Sequence, residues 1–147
     1  MIVKAELSDK YTEMQIHVCK NRMDCEVQSV INDLNAYFGE SIVVKNEAGD
    51  KESIHIYDIL SFEAVGPKVY ARTVKGKYTV LKKLYELEEA LNPKEFCRIS
   101  KSEIINIKKI SKVDLSISGT LRVIFKDGTD TYASRRNIRN LKNALGL

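Results

Sequence analysis

The sequence predicts a mostly β fold, an antiparallel meander with short helices, preceded by a small β-β-α segment. Three observations predict it. From residue 41 onward, β-branched and aromatic residues come in short runs separated by Gly, Pro, Asn and Asp. Several separators are short enough to reverse the chain between neighbours, so sequential antiparallel pairing is the default. Only three stretches carry apolar residues at spacings of three and four.

Taken in order, strands are expected at 2–6 and 13–20, followed by a helix. Asp24 stands as its N-cap, Val27, Val30, Ile31, Leu34, Tyr37 and Phe38 recur at helical spacing, and Gly39 ends it. One face of this helix is apolar and needs cover from the rest of the chain or from a second copy, because a helix with two short strands is marginal alone. Further strands are expected at 42–45, 52–57, 61–64, 69–74 and 77–80. Their turns fall at 46–50, at Gly66-Pro67 and at Lys75-Gly76, the last tight enough for a two-residue hairpin. A helix at 81–91 follows from Leu81, Leu84, Leu87 and Leu91, and Asn92-Pro93 stops it. Strands resume at 96–99, 112–117, 120–125 and 130–133, with turns at Ser118-Gly119 and 126–129. The closing helix starts from Ser134 as N-cap and runs to Leu145. Ile138, Leu141 and Leu145 form its core stripe, while Arg135, Arg139 and Lys142 fall on a different face.

Composition narrows the functional classes. The chain has 147 residues, 44% hydrophobic and 30% charged, which suits one domain with a small appendage. No apolar run approaches the length of a membrane span, and the opening MIVKAEL lacks the features of a signal peptide, so a cytoplasmic location is expected. Cys19, Cys25 and Cys97 are an odd count without a C-x-x-C pair and read as reduced thiols. His17 and Cys19 share a strand face near Cys25, but a half-exposed histidine and two ordinary thiols are the simpler reading, and no metal is expected. The glycines form neither a phosphate-cradling loop nor a dinucleotide fingerprint, and H-E-x-x-H and G-x-S-x-G do not occur. Cys97, beside Phe96, reads as packing rather than as a nucleophile for His55. No enzyme, cofactor or small-molecule substrate is expected.

Charge is unevenly divided. Residues 1–60 hold 6 Lys and Arg against 11 Asp and Glu, whereas residues 61–147 hold 18 against 9. A concentrated positive field draws polyanions, so the second half is expected to meet one. Within it, Arg98, Ser100, Lys101 and Ser102 place cationic and hydroxyl groups side by side ahead of Ile104 and Ile105, a combination suited to phosphate oxygens. A lone surface Lys is ordinarily just a solvated residue; their grouping beside turns and caps is what singles these out.

The blocks Arg98-x-Ser100-Lys101-Ser102-x-Ile104-Ile105-Asn106, then Phe125-Lys126-Asp127-Gly128-Thr129, then Ala133-Ser134-Arg135-Arg136 ahead of a helix, resemble the LytTR-type DNA-binding domain of bacterial transcription regulators. The segment from Ile56 to Glu63 leading into Lys68-Val69-Tyr70, and 81–91 ahead of Phe96, also match, so the likeness covers 53–146. It implies an elongated arrangement of small antiparallel sheets that inserts loops, not a recognition helix, into DNA. By motif, Ser100, Lys101 and Ser102 would enter one major groove and Arg136, with Asn137 beside it, another. Lys68 would lie nearby, Arg98 would join the first loop, and Arg135 and Arg139 would touch phosphate. Many members carry His where Ser100 stands; Ser contacts any base or a phosphate, which makes Lys101 the more informative reader.

The resemblance divides the chain into residues 1–45, for dimerisation or regulation, and 46–147, the DNA-binding domain. The 52 residues ahead of the matched region are too few for a phosphoreceiver domain and resemble the short leader of standalone members. Expected partners are double-stranded promoter DNA with direct or inverted repeats, a second copy of the chain, and a small membrane protein as antagonist. An RNA-binding or ribosome-associated accessory protein would use the same basic surface, although exposed aromatics for base stacking are scarce. In a third reading, the acidic front half docks onto basic halves of neighbouring copies.

Overall fold

A computed structural model describes residues 16–115 and 120–147. The chain forms two compact units that divide between Phe38 and Gly39. In the first, helix α1 spans Cys25–Phe38. Asp24 caps it, its Oδ1 accepting from the Val27 N–H at 3.1 Å. Lys20 Nζ pairs with Asp24 at 2.7 Å and with Glu26, and this contact holds the Asp24 carboxyl below the usual carboxylate range. The strand expected at 2–6 lies outside the described residues. Of 13–20, residues 16–20 are described and are not strand. A strand exists only through its ladder, and among the described residues none pairs with this stretch.

Among its described residues the second unit carries ten strands and two helices, so the described chain is mostly β. They are β1 (Ser41–Lys45), β2 (Lys51–His55), β3 (Ile59–Val65), β4 (Lys68–Thr73), β5 (Gly76–Val80), α2 (Leu84–Ala90), β6 (Phe96–Arg98), β7 (Glu103–Asn106), β8 (Ile110–Asp114), β9 (Leu121–Phe125), β10 (Asp130–Ala133) and α3 (Ile138–Ala144). Seven strands form an antiparallel sheet in the order β2-β1-β5-β4-β3-β7-β6, and three form a second sheet, β10-β9-β8.

Sequential pairing holds within hairpins and fails between them. A 3-10 turn at Ile56–Asp58 separates β2 from β3, and β1 reaches past them to pair with β5, Val44 opposite Val80. Strand β3 takes β7 as its other neighbour, Phe62 opposite Ile104. Strand β7 was not expected. It is four residues long and buried on both faces, so its apolar residues run together instead of alternating.

Local chemistry moves other boundaries. The β4–β5 hairpin turns at Val74-Lys75, one residue earlier than expected, with Gly76 opposite Thr73. The Thr73 hydroxyl fixes this by accepting from the Lys75 N–H at 3.1 Å and donating to the Gly76 carbonyl at 3.2 Å. Helix α2 starts three residues later than expected because the Lys83 N–H donates to Glu86 Oε2 at 2.7 Å, half of a capping box; Leu81 is left exposed. Ser134 does not cap α3. Its carbonyl accepts from the Asn137 and Ile138 N–H groups, closing a turn at 134–137, and Asn137 becomes the residue ahead of the helix. The turn expected at Ser118-Gly119 lies outside the described residues.

The large sheet divides two hydrophobic clusters. One face carries Val44, Phe62, Val69, Ala71, Val80, Phe96 and Ile104 beneath Leu84, Leu87 and Leu91 of the α2 region. On the other, Leu60, Cys97 and Ile105 meet Leu121, Val123, Phe125 and Ala133 of the small sheet and Leu141 of α3. The irregularity between Ile59 and Ser61 resets the alternation, so Leu60 and Phe62, two residues apart, serve opposite clusters. The buried Asn106 donates to the Ile59 carbonyl there at 3.0 Å.

Candidate nucleic-acid interface

The candidate cations sit on or beside three connections that meet. The β3–β4 hairpin turns at Gly66-Pro67, with Lys68 opposite Val65. Residues 99–102 join β6 to β7, and residues 134–137 join β10 to α3. The pairing of Glu63 with Glu103 sets the first two loops side by side, and the Ala64 N–H donates to the Ser102 carbonyl at 2.7 Å. The third is tied in by the Ser134 N–H, which donates to the Ile99 carbonyl at 2.8 Å. The loop at 99–102 is therefore bonded to an element on either side.

That loop is also bonded within itself. The Ile99 and Ser100 N–H groups donate to the Glu103 carbonyl at 3.0 and 3.4 Å, and the Ser102 N–H donates to Ser100 Oγ at 3.2 Å. The two serine hydroxyls lie 3.3 Å apart. Asn137 Nδ2 donates to Ser134 Oγ at 3.0 Å, closing the second turn. The short polar side chains thus fix the backbone from which the cations project.

Lys68, Lys101, Arg135, Arg136 and Arg139 are exposed, and among the described residues none forms an ion pair. Arg98 differs: it is half-buried, with Nη1 2.9 Å from Glu88 Oε2. Arg139 follows the turn onto α3, whose Leu141 is buried in the second cluster. Sequence reading missed Lys83, assigned there to a helix interior; its Nζ donates to the Pro67 carbonyl at 3.2 Å, next to Lys68. Glu86, three residues on, was the available sign that Lys83 heads the helix. Cys97 is buried in the second cluster, and burial, with Glu88 nearby, pushes its thiol up, so it packs as a neutral group. Among the described residues no group of three metal-ligating side chains occurs, and no helix is long and apolar enough to cross a membrane.

A two-sheet β module with exposed cations on and beside adjoining loops presents a surface that attracts polyanions. Comparison with known proteins makes this particular. The LytTr DNA-binding domain family matches residues 51–146. An HTH-type transcriptional regulator of Staphylococcus aureus strain RF122 is 37% identical over 136 residues, 92% of each chain, and one of strain MSSA476 is 35% identical over 141, 96% of this chain and 95% of that one. A LytTr DNA-binding domain from Bacillus cereus has the same fold, with a TM-score of 0.69 at 21% identity over 74% of this chain and all of that one. This chain belongs to the LytTr DNA-binding domain family. Among the described residues of the second unit five strands separate α2 from α3, so these two helices do not form the helix-turn-helix that the relatives' description names.

Proposed function

We propose that this protein regulates transcription by binding specific sequences in double-stranded DNA through its loops. The observation that carries the reading is the pair of backbone bonds, Ala64 to Ser102 and Ser134 to Ile99, that gathers at one place three connections that carry or adjoin the cations. Lys101 and Arg136, each at the middle of a braced loop, are the base readers, with Ser100, Ser102 and Asn137 shaping the loops that enter the major grooves. Lys68, Arg135 and Arg139 neutralise phosphates. Membership of a DNA-binding family and likeness to transcriptional regulators support this reading. Residues 1–45, of which β1 is built into the large sheet, are assigned to dimerisation or regulation on direct or inverted half-sites.

Four cations placed for phosphate, Lys68, Lys83, Arg135 and Arg139, predict a log-log salt slope of roughly −4, so affinity falls about 10²-fold between about 50 and 200 mM salt. Selection from random duplexes identifies the site. Arg136→Ala then weakens binding to that site by about 1 to 3 kcal/mol with little effect on random duplex, whereas Arg139→Ala weakens both alike. No enriched sequence, or single-stranded RNA outcompeting duplex, refutes the proposal.

A further inference from the structure

Arg98 opens the Arg-x-Ser-Lys-Ser block, where a cation invites assignment to phosphate. Its guanidinium is turned into the protein instead. Nε donates to the Ser100 carbonyl at 2.6 Å, Nη2 donates to the Lys101 carbonyl, and Nη1 pairs with Glu88 Oε2 on α2 at 2.9 Å. Two consecutive carbonyls of the loop at 99–102 are therefore gathered on one planar group, which is anchored in turn to a helix of the first hydrophobic cluster.

We infer that Arg98 and Glu88 form a brace that sets the shape of the 99–102 loop, making Arg98 a positioning residue for DNA reading and not a phosphate contact. The chemistry favours this role on two grounds. A guanidinium offers donors in a fixed plane that can hold two carbonyls and a carboxylate at once, which the single ammonium of lysine cannot reproduce. The carboxylate beside it opposes any approach of phosphate, whereas Lys101, Arg135 and Arg136 are exposed without such a neighbour. Lys101 is the reader that the brace serves. Its backbone carbonyl is fixed by Arg98, while Ser100 Oγ is engaged by the Ser102 N–H. The part concerning DNA rests on the proposed function; the brace itself does not.

Two variants and two readouts test it. Arg98→Lys keeps the charge and loses the fork, and Glu88→Gln loses the anchor from a half-exposed helix position. In the free protein, amide hydrogen exchange at Ser100 and Ser102 should quicken on the order of tenfold in both variants, while amides of the central strands keep their protection. Unchanged exchange at the loop overturns the brace whatever the protein binds. On DNA, the ratio of affinities for the selected site and a random duplex should fall about tenfold in both variants, since a reader misplaced by an ångström loses its contact. Tighter binding of Glu88→Gln to both duplexes, or an equal loss on both in Arg98→Lys, marks a phosphate contact and overturns the assignment. A wild-type protein without preference for any duplex refutes the DNA reading separately, leaving the exchange result to decide the brace.

Discussion

Arg72 joins the two sheets, and its replacement by methionine should destabilise the second unit by about 2 to 3 kcal/mol. From near the end of β4, its Nε lies 3.2 Å from Glu63 Oε1 and 3.3 Å from Ser61 Oγ in the large sheet. Its Nη1 donates to Thr129 Oγ1 in the hairpin of the small sheet, and its guanidinium stands 4.8 Å above the Phe125 ring. Side-chain exposures of 14% for Arg72 and 24% for Glu63 put this pair between the surface and buried limits. Exposed pairs contribute about 0 to 1 kcal/mol, while breaking buried ones costs about 3 to 5. Lys77 Nζ, 3.0 Å from Glu63 Oε2, still neutralises the carboxylate after the substitution, which holds the loss below the buried limit.

Lys77 provides the internal control. It is 55% exposed, so Lys77→Met should cost less than about 1 kcal/mol despite an ion pair of similar length. Methionine keeps the apolar stem of Arg72, so the difference reports on the guanidinium: its charge, its hydrogen bonds and its place over Phe125. The chain has no Trp, and urea unfolding is best followed by far-UV circular dichroism. A double-mutant cycle with Glu63→Gln isolates the pair. If Arg72→Met costs under about 1 kcal/mol, or Lys77→Met costs as much as Arg72→Met, burial does not set the strength of this network.

Glu103 lies beside the same network, and burial raises its pKa, with a smaller contribution from Glu63, against the lowering effects of the Thr131 hydroxyl and Arg72. With the folded pKa above the unfolded one, its contribution to stability is complete below the ordinary glutamate value and is lost as pH rises through the raised value. Glu103→Gln, which mimics the protonated form and still accepts from Thr131, should be more stable than wild type at neutral pH and lose that advantage on acidification; unfolding curves across pH measure it. Leu141, 0% exposed in the second cluster, should cost about 2 to 5 kcal/mol when cut to alanine, read as a shift in the urea midpoint.

Most strands of the second unit were legible because each presents a short β-branched run closed by turn chemistry, as at 130–133, where the expected and observed spans coincide. What failed has a common cause. Strand β7 is covered on both faces, so Ile104 and Ile105 serve different clusters and erase the alternation that marks a half-buried strand. The order β1-β5 and β3-β7 depends on which faces and edges need cover, information that no local window holds. The same divide runs through the candidate site. Cations next to short polar residues were readable at Lys101 and Arg136. Which cations already have partners was not, because Arg98 finds Glu88 on a different element, α2, and Arg72 finds Thr129, 57 residues away.

The helices explain why the proposed binding falls to loops. Leu84 and Leu87 of α2 are buried in the first cluster and Leu141 of α3 in the second, so each helix is occupied in covering a sheet face. A helix held by its apolar side against a sheet offers at most an outer edge, as α3 does with Arg139. The connections that leave the sheets at Arg98 and Ala133 are the backbone free to project, and both start from strands whose neighbouring residues, Cys97, Ile99 and Ala133, lie in the second cluster. Their placement is therefore inherited from core packing across the two sheets. It follows that loosening that core at Leu141 should weaken discrimination between DNA sequences before it weakens attraction to phosphate, since attraction needs only the charges whereas discrimination needs the loops held in position.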